Sequence, residues 1–316
     1  MCAVPVLAPH TFRKGLVHQM KSKNALLRQE NRQGWLSVLP VIILELLICA
    51  YPISMVIVKS FTNWDGMFKN DFVGFRNYIK FFQDETFWLL IKNTVIYILT
   101  VPVQALIGVA LAMVLHKEPR GWKFYRFVYY LPSMISMVTL GFLFRILFGY
   151  NGPINEILRS IGLENLAIEW LGGDATARGV VFFALVWSSL GWQILIIFGG
   201  LSNIPQSVFE ASLLDGANYW QQMFYITIPM LIRTIEYSFI TSILFIFSSI
   251  FPLILAITKG GPGYATTTLD YMVYIKGFSG SKLGQACALS VILLIIITVI
   301  TVIQMKISNR MADWEG

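Results

Sequence analysis

Leu283-Gly-Gln-Ala-Cys-Ala-Leu-Ser-Val-Ile-Leu-Leu-Ile-Ile-Ile-Thr-Val-Ile-Thr-Val-Ile-Gln-Met-Lys-Ile307 is the stretch that decides the fold class, and its single charge, Lys306, stands beside its end. A helix that crosses a bilayer needs about 20 mostly apolar residues. Working back toward the amino terminus, five more stretches qualify: 36–58, 87–115, 125–148, 179–201 and 231–257. The second and fifth are longer than a span requires, so they are expected to tilt or to emerge partly from the bilayer. The bulk numbers agree. Of 316 residues, 56% are hydrophobic and 13% charged, with mean hydropathy +0.66. A soluble domain carries about 25% charged residues. The reading is an all-α integral membrane protein with six transmembrane helices.

Formal net charge is +7. In a membrane chain the excess belongs to cytoplasmic loops, where Lys and Arg fix orientation, so nucleic acid is not implied. With the amino terminus inside, the inner segments hold thirteen Lys and Arg residues against nine outside. Six of the thirteen lie ahead of the first span: Arg13, Lys14, Lys21, Lys23, Arg28 and Arg32. Both termini are then cytoplasmic. The expected organisation is a basic tail (1–34), a transmembrane domain (35–308) and a short cytoplasmic end (309–316). The tail has no signal-peptide pattern. It reads either as an interfacial helix with Phe12, Leu16, Val17 and Met20 toward lipid, or as a solvated basic run.

No catalytic or metal constellation stands out. Cys2, Cys49 and Cys287 form no C-x-x-C pair, and His10, His18 and His116 are scattered. No P-loop, H-E-x-x-H or G-x-S-x-G is present, so ATP hydrolysis is not expected of this chain. Glu45, inside the first apolar stretch, is expected to face protein or water. Lys92 and Arg145 are its candidate partners, Lys92 the closer in depth. Pro52, Pro102 and Pro252 are read as kinks.

Between the fourth and fifth spans, residues 202–230 break the pattern and are unusually poor in Lys and Arg for a cytoplasmic loop. Pro205 suits a helix start, with Ser202 or Asn203 as cap. Gly216 ends that helix, and Asn218 caps a second one running to Ile228 ahead of Pro229. Phe209, Leu213 and Leu214 supply an apolar patch and Glu210 a negative point. Such a knob is suited to a groove on a partner.

Glu210-Ala-Ser-Leu-Leu-Asp215-Gly216-Ala217, followed by Ile228-Pro229, resembles the E-A-A…D-G-A…I-x-L-P signature of ABC importer permeases, with Ser212 and Ile228 as departures. Gly74-Phe-Arg-Asn-Tyr78, Leu131-Pro-Ser-Met-Ile-Ser136, Asn151-Gly-Pro-Ile-Asn155, Thr258-Lys-Gly-Gly-Pro262 and Thr266-Thr-Thr-Leu269 with Tyr271 and Tyr274 resemble, in order, motifs of the carbohydrate, maltose-permease-like branch. The resemblance runs from about residue 35 to 305. It implies a type I importer permease in the bacterial plasma (inner) membrane. Its implied partners are a second homologous permease in a heterodimer, two ATP-binding subunits that hold ATP and Mg, and an extracellular solute-binding protein that delivers a sugar. It assigns Glu210, Ala211, Asp215, Gly216 and Ala217 to coupling with the ATPase. A polyol, glycerol phosphate or short peptide is the alternative cargo.

For the substrate path, the sequence offers Trp187 and Gly191 on one face of the fourth span, with Gly191 leaving a niche beside the Trp187 ring. Ser248 and Ser249 in the fifth span add hydroxyls. Trp192, about 140° around the helix from Trp187, is expected to meet lipid or a neighbouring helix.

Overall fold

The computed structural model describes residues 34–35 and 37–312. The interfacial-helix reading of the tail falls outside them. The chain divides into two compact units, Met1–Val58 and Lys59–Gly316. In the first, helix α1 (Ser37–Lys59) is the first span and contains a π-turn, Leu46–Ala50, directly after Glu45.

Among the described residues the second unit is built of helices joined by loops, with one isolated antiparallel bridge between Thr62 and Phe72. Helices α2 (Arg76–Gln83), α3 (Glu85–Ile98) and α4 (Thr100–His116) follow a short connecting segment, and α3 with α4 makes the second span, Glu85–His116. The third span is α5 (Trp122–Met134) and α6 (Met137–Leu147), bent by 98° at the junction. Next come α7 (Pro153–Ser160) and the fourth span, α8 (Asp174–Leu201). Helices α9 (Gln206–Leu214) and α10 (Tyr219–Met230) come next, α11 (Ile232–Ser248) and α12 (Phe251–Ile257) follow, and α13 (Leu269–Tyr274) precedes the last helix α14 (Leu283–Ala312). Four helices are long and apolar enough to cross a bilayer, and counting each bent pair as one span, α5 with α6 and α10 with α11 (76°), gives up to six by length and composition.

Two spans differ from straight helices for local reasons. In the third, Pro132 removes a helical N–H, Ile135 turns extended (ψ 134), and the Ser136 side chain accepts from Thr139 N to begin α6. The fifth stretch stops at Ser249 and restarts with Pro252 in the first turn of α12, where a missing N–H costs nothing. Pro252 therefore opens a helix instead of kinking one. Its partner is Asp270 on α13, whose carboxylate accepts from Phe251 N at 2.9 Å and from Thr268 Oγ1 at 2.5 Å. Burial pushes this carboxyl, which lies outside the spans, up to about 6.

Helix α8 is the central post. Its faces pack on α4, α5, α6 and α11, and Val180, Val181, Ala184 and Leu185 join Tyr97, Leu140, Phe144 and Leu253 in the largest apolar core. Apolar side chains stay exposed along α14, among them Ile295, Val299 and Ile303. In lipid such exposure carries no hydrophobic cost.

Three buried asparagines clamp the connecting loops, each with its side-chain amide donating to two loop carbonyls. Asn77 donates to Ser60 O and Thr62 O. Asn93 donates to Tyr264 O and Thr267 O, and Arg178 donates to the Asn93 oxygen at 3.4 Å. Asn155 donates to Tyr150 O and Ile168 O while accepting from the Trp170 indole. A buried amide with both donors used fixes loop geometry, because leaving either unpaired costs about 1–3 kcal/mol. The G-F-R-N-Y and N-G-P-I-N motifs thus hold loops in place. So does the T-K-G-G-P motif, where Thr258 and Thr266 share a 2.6 Å hydroxyl bond and Gly260 sits at φ +87 against Thr267.

Candidate functional site

Two places in the second unit combine exposed function-bearing side chains with a rigid support.

The first is the knob formed by α9 and α10. Ser202 and Asn203 do not cap α9. They donate backward to Phe198 O (2.9 Å) and Gly199 O (3.2 Å), closing the end of α8. Pro205, in extended geometry, stands at the α9 N-cap without a side-chain bond. Gly216 takes φ +79, and Ala217 N reaches back to Ser212 O at 2.9 Å, so the chain turns sharply after Asp215. Asn218 then forms a capping box with Gln221. The two short helices are tied by Ser212, which is buried, donates to Phe209 O and accepts from Gln222 Nε2 at 2.9 Å. An alanine at that position has no such bond to offer, so the departure from the E-A-A triplet adds a lock.

The knob sits on an apolar base of Met113, Ile197, Leu201, Ile204, Met223 and Leu231. Tyr219 Oη donates to Ala110 O of α4 at 2.5 Å. Glu210, Ala211, Asp215 and Gly216 are exposed and Ala217 is half-buried. Leu214 is 90% exposed and Leu213 59%, so two of the three expected apolar residues do face outward. Phe209 instead lies partly buried against the base, its ring 5.9 Å from His116. The sequence missed Trp220 and Tyr225, which are 59% and 80% exposed beside them. The knob therefore offers two carboxylates and a set of large apolar side chains on a base that cannot flex with them.

The second place is a cavity of about 390 Å³ between α4, α5, α6, α8 and α11. Its α8 wall is Leu185, Ser188, Ser189 and Trp192, which recur at helical spacing on one face. Ser188 lies at the middle of the 28-residue helix. Facing it are Thr100 and Gln104 of α4, Tyr130 and Ser133 of α5, and Thr241, Ser242 and Phe245 of α11. The α11 wall is braced from behind by Gln193, which accepts from Ser238 and donates to Ser242. A volume of this size, with apolar walls and a few placed polar groups, is that of a small-molecule site.

The four residues expected on the substrate path are elsewhere. Trp187 packs its ring 5.7 Å from Phe144 in the main core. Gly191 leaves no niche. A Cβ there would lie 2.8 Å from Tyr129 O and from Tyr130 Cα, so the residue brings α8 against the α5 backbone. Ser248 donates to Leu244 O and pairs with Ser249 at 3.2 Å where α11 stops, beyond the cavity wall. Trp192, expected to point to lipid or a neighbour, is half exposed on the cavity wall. The stripe Leu185, Ser188, Ser189, Trp192 was the signal available in the sequence.

Known proteins with this arrangement are recognisable. Residues 104–313 match the family model described as "Binding-protein-dependent transport system inner membrane component". The chain is 33% identical over 279 residues to the probable ABC transporter permease protein YurN of Bacillus subtilis (strain 168), covering 86% of this chain and 94% of that one. It is 32% identical over 285 residues to the multiple sugar-binding transport system permease protein MsmF of Streptococcus mutans, covering 88% and 95%. A solved bacterial ABC transporter involved in the import of the acidic polysaccharide alginate shares the fold, with TM-score 0.77, 24% identity, and coverage of 90% and 98%.

Proposed function

Because the chain belongs to the family of binding-protein-dependent transport system inner membrane components, we propose that it is the permease subunit of an ATP-driven sugar importer. Energy enters at the α9–α10 knob and sugar crosses through the α4–α5–α8–α11 cavity. The observation that carries this reading is the knob: a locked pair of short helices presenting Glu210, Asp215, Leu213 and Leu214 on a rigid base. A separate ATPase subunit with a matching groove can push on it as one piece. The base contains the inner ends of α4 and α8, and the same two helices wall the cavity. Displacement at the knob is thereby passed to the cavity through packed helices and not through a loop. The chain has no nucleotide-binding motif of its own. The partners of this reading are a distinct second permease, two ATP-binding subunits carrying ATP and Mg, and an external binding protein.

Sugar as cargo is supported by the naming of relatives such as MsmF, and by the cavity itself. Trp192 and Phe245 offer aromatic faces for the C–H faces of a sugar ring, and seven hydroxyl side chains, Tyr130 among them, surround them. Trp192→Ala is expected to lower uptake by the reconstituted transporter several-fold while the complex still assembles, because the ring is half exposed and its loss opens no core. Uptake at the wild-type rate rejects the cavity as the path.

Orientation follows from the charge bias and is tested separately. The knob is inside and the loop 259–282 outside. Single cysteines at Ser207 and Ser279, both exposed, should react with an impermeant thiol reagent from opposite faces of the membrane. Labelling from one face only overturns the six-span orientation.

A further inference from the structure

The turn between α4 and α5 carries four cations close together: Lys117, Arg120, Lys123 and Arg126. Its shape is set by the backbone. Glu118 N donates to Leu115 O at 3.1 Å, Trp122 N donates to Pro119 O at 2.9 Å, and Gly121 takes φ +83 just ahead of α5. Two of the cations lie over rings of the protein. The Lys117 ammonium is 5.8 Å from the Tyr219 ring of the knob, and the Arg126 guanidinium is 5.5 Å from the Phe198 ring of α8. The other two, Arg120 and Lys123, are exposed and form no ion pair among the described residues. Glu118, the acid of the turn, lines the cleft beside the knob with Lys117 and Glu210. No side chain caps the first turn of α5, so the positive end of that helix dipole adds to the two exposed charges. Phe124, Phe127, Val128 and Leu131 follow, all exposed. Their spacing of i, i+3, i+4 and i+7 puts them on one face of the helix.

We propose that Arg120, Lys123 and the uncapped first turn of α5 bind the phosphate of an anionic phospholipid in the inner leaflet, with its acyl chain along Phe124, Phe127, Val128 and Leu131. The inner placement rests on the orientation given above; the pairing of charges does not. The argument is one of matching along the helix. Two exposed cations stand at the end of a span, and an apolar face of the same span begins beside them. Its occupant is therefore an amphiphile, charged at one end and apolar at the other. Free phosphate would leave the apolar face unused. An acidic protein surface would meet the cations but not side chains that face the bilayer core. Among lipids, a net negative headgroup gains most, because each surface cation attracts it. A zwitterionic headgroup brings its own cation to its phosphate and gains less.

The test uses the full chain, with the subunits that purify with it, in nanodiscs of phosphatidylglycerol and phosphatidylcholine in equal amounts. Native mass spectrometry then counts the lipids that stay bound on release. Neither transport nor ATP hydrolysis is read, so the result is independent of the importer reading. Wild type is expected to retain phosphatidylglycerol over phosphatidylcholine roughly tenfold, the scale of two surface cations acting on one headgroup. The double variant Arg120→Gln with Lys123→Gln should retain the two lipids about equally, and Arg120→Lys, which keeps the charge, should behave as wild type. Lys69→Gln with Arg76→Gln removes two other exposed cations and should leave the preference unchanged. A phosphatidylglycerol with a diazirine in its acyl chain should crosslink to residues 124–131. No preference in wild type, or a preference that survives Arg120→Gln with Lys123→Gln, overturns the site. An equal fall in the Lys69 and Arg76 variant reduces the effect to net charge and overturns it as well. Crosslinks confined to other helices overturn the acyl-chain placement.

Discussion

Glu210→Lys is expected to leave the permease folded and inserted but to cut sugar-stimulated ATP hydrolysis by more than about tenfold, the scale of reversing a charge at a docked interface. The side chain is exposed on α9 and contributes nothing to the apolar base, so its replacement cannot act through stability. Gly216 gives a companion experiment of a different kind. It adopts φ +79, yet a Cβ built on it meets nothing within 4 Å. The only obstacle to a side chain there is the backbone conformation, which costs an ordinary residue about 1–2 kcal/mol. Asparagine tolerates that conformation far better than a β-branched residue does. Gly216→Asn should therefore couple nearly normally and Gly216→Val poorly, although both fill the same open space. ATP hydrolysis measured with and without loaded binding protein distinguishes these outcomes. Equal stimulation in Glu210→Lys, Gly216→Val and wild type removes the knob from the coupling path.

The knob and the cavity differ in how legible they were. The knob's shape follows from residues that act locally: Gly216 for the positive φ, Asn218 for the cap, Pro229 near the end. Local rules read such residues directly. Its internal lock is not local. Ser212 and Gln222 are ten positions apart, on different helices, and only the fold brings them within 2.9 Å. The spans were legible because hydropathy is a property of a segment. Their interruptions were not, because each needs a partner at a distance. Asp270 supplies the N-terminal acceptor for α12 from nineteen residues away. Asn77 and Asn155 likewise looked like motif letters until their carbonyl partners were in place.

The expected path residues lie off the cavity for a geometric reason that Gly191 exposes. Trp187 and Trp192 lie on different faces of α8, and the choice between them depended on whether Gly191 marked an opening or a contact. It marks a contact. Gly191→Leu is expected to abolish recovery of a folded, monodisperse complex, and Gly191→Ala to destabilise it by about 1–3 kcal/mol, the cost of overpacking a close helix pair. The added atom would lie 2.8 Å from Tyr129 O and Tyr130 Cα and 2.9 Å from Ser133 Oγ, and two of those three are backbone atoms with no rotamer to escape through. Gly199, two turns along the same helix, has nothing of this chain within 4 Å of its own Cβ position. Gly199→Leu therefore controls for the helix-propensity and bulk effects of the substitution, and should be recovered as wild type. Trp187→Ala belongs with Gly191→Leu, since it empties the space beside Phe144 in the main core. Size-exclusion profiles and thermal unfolding of the purified variants give the answer without a transport assay. Full recovery of Gly191→Leu with uptake alone lost would restore the niche beside Trp187 and move the sugar to the other face of α8.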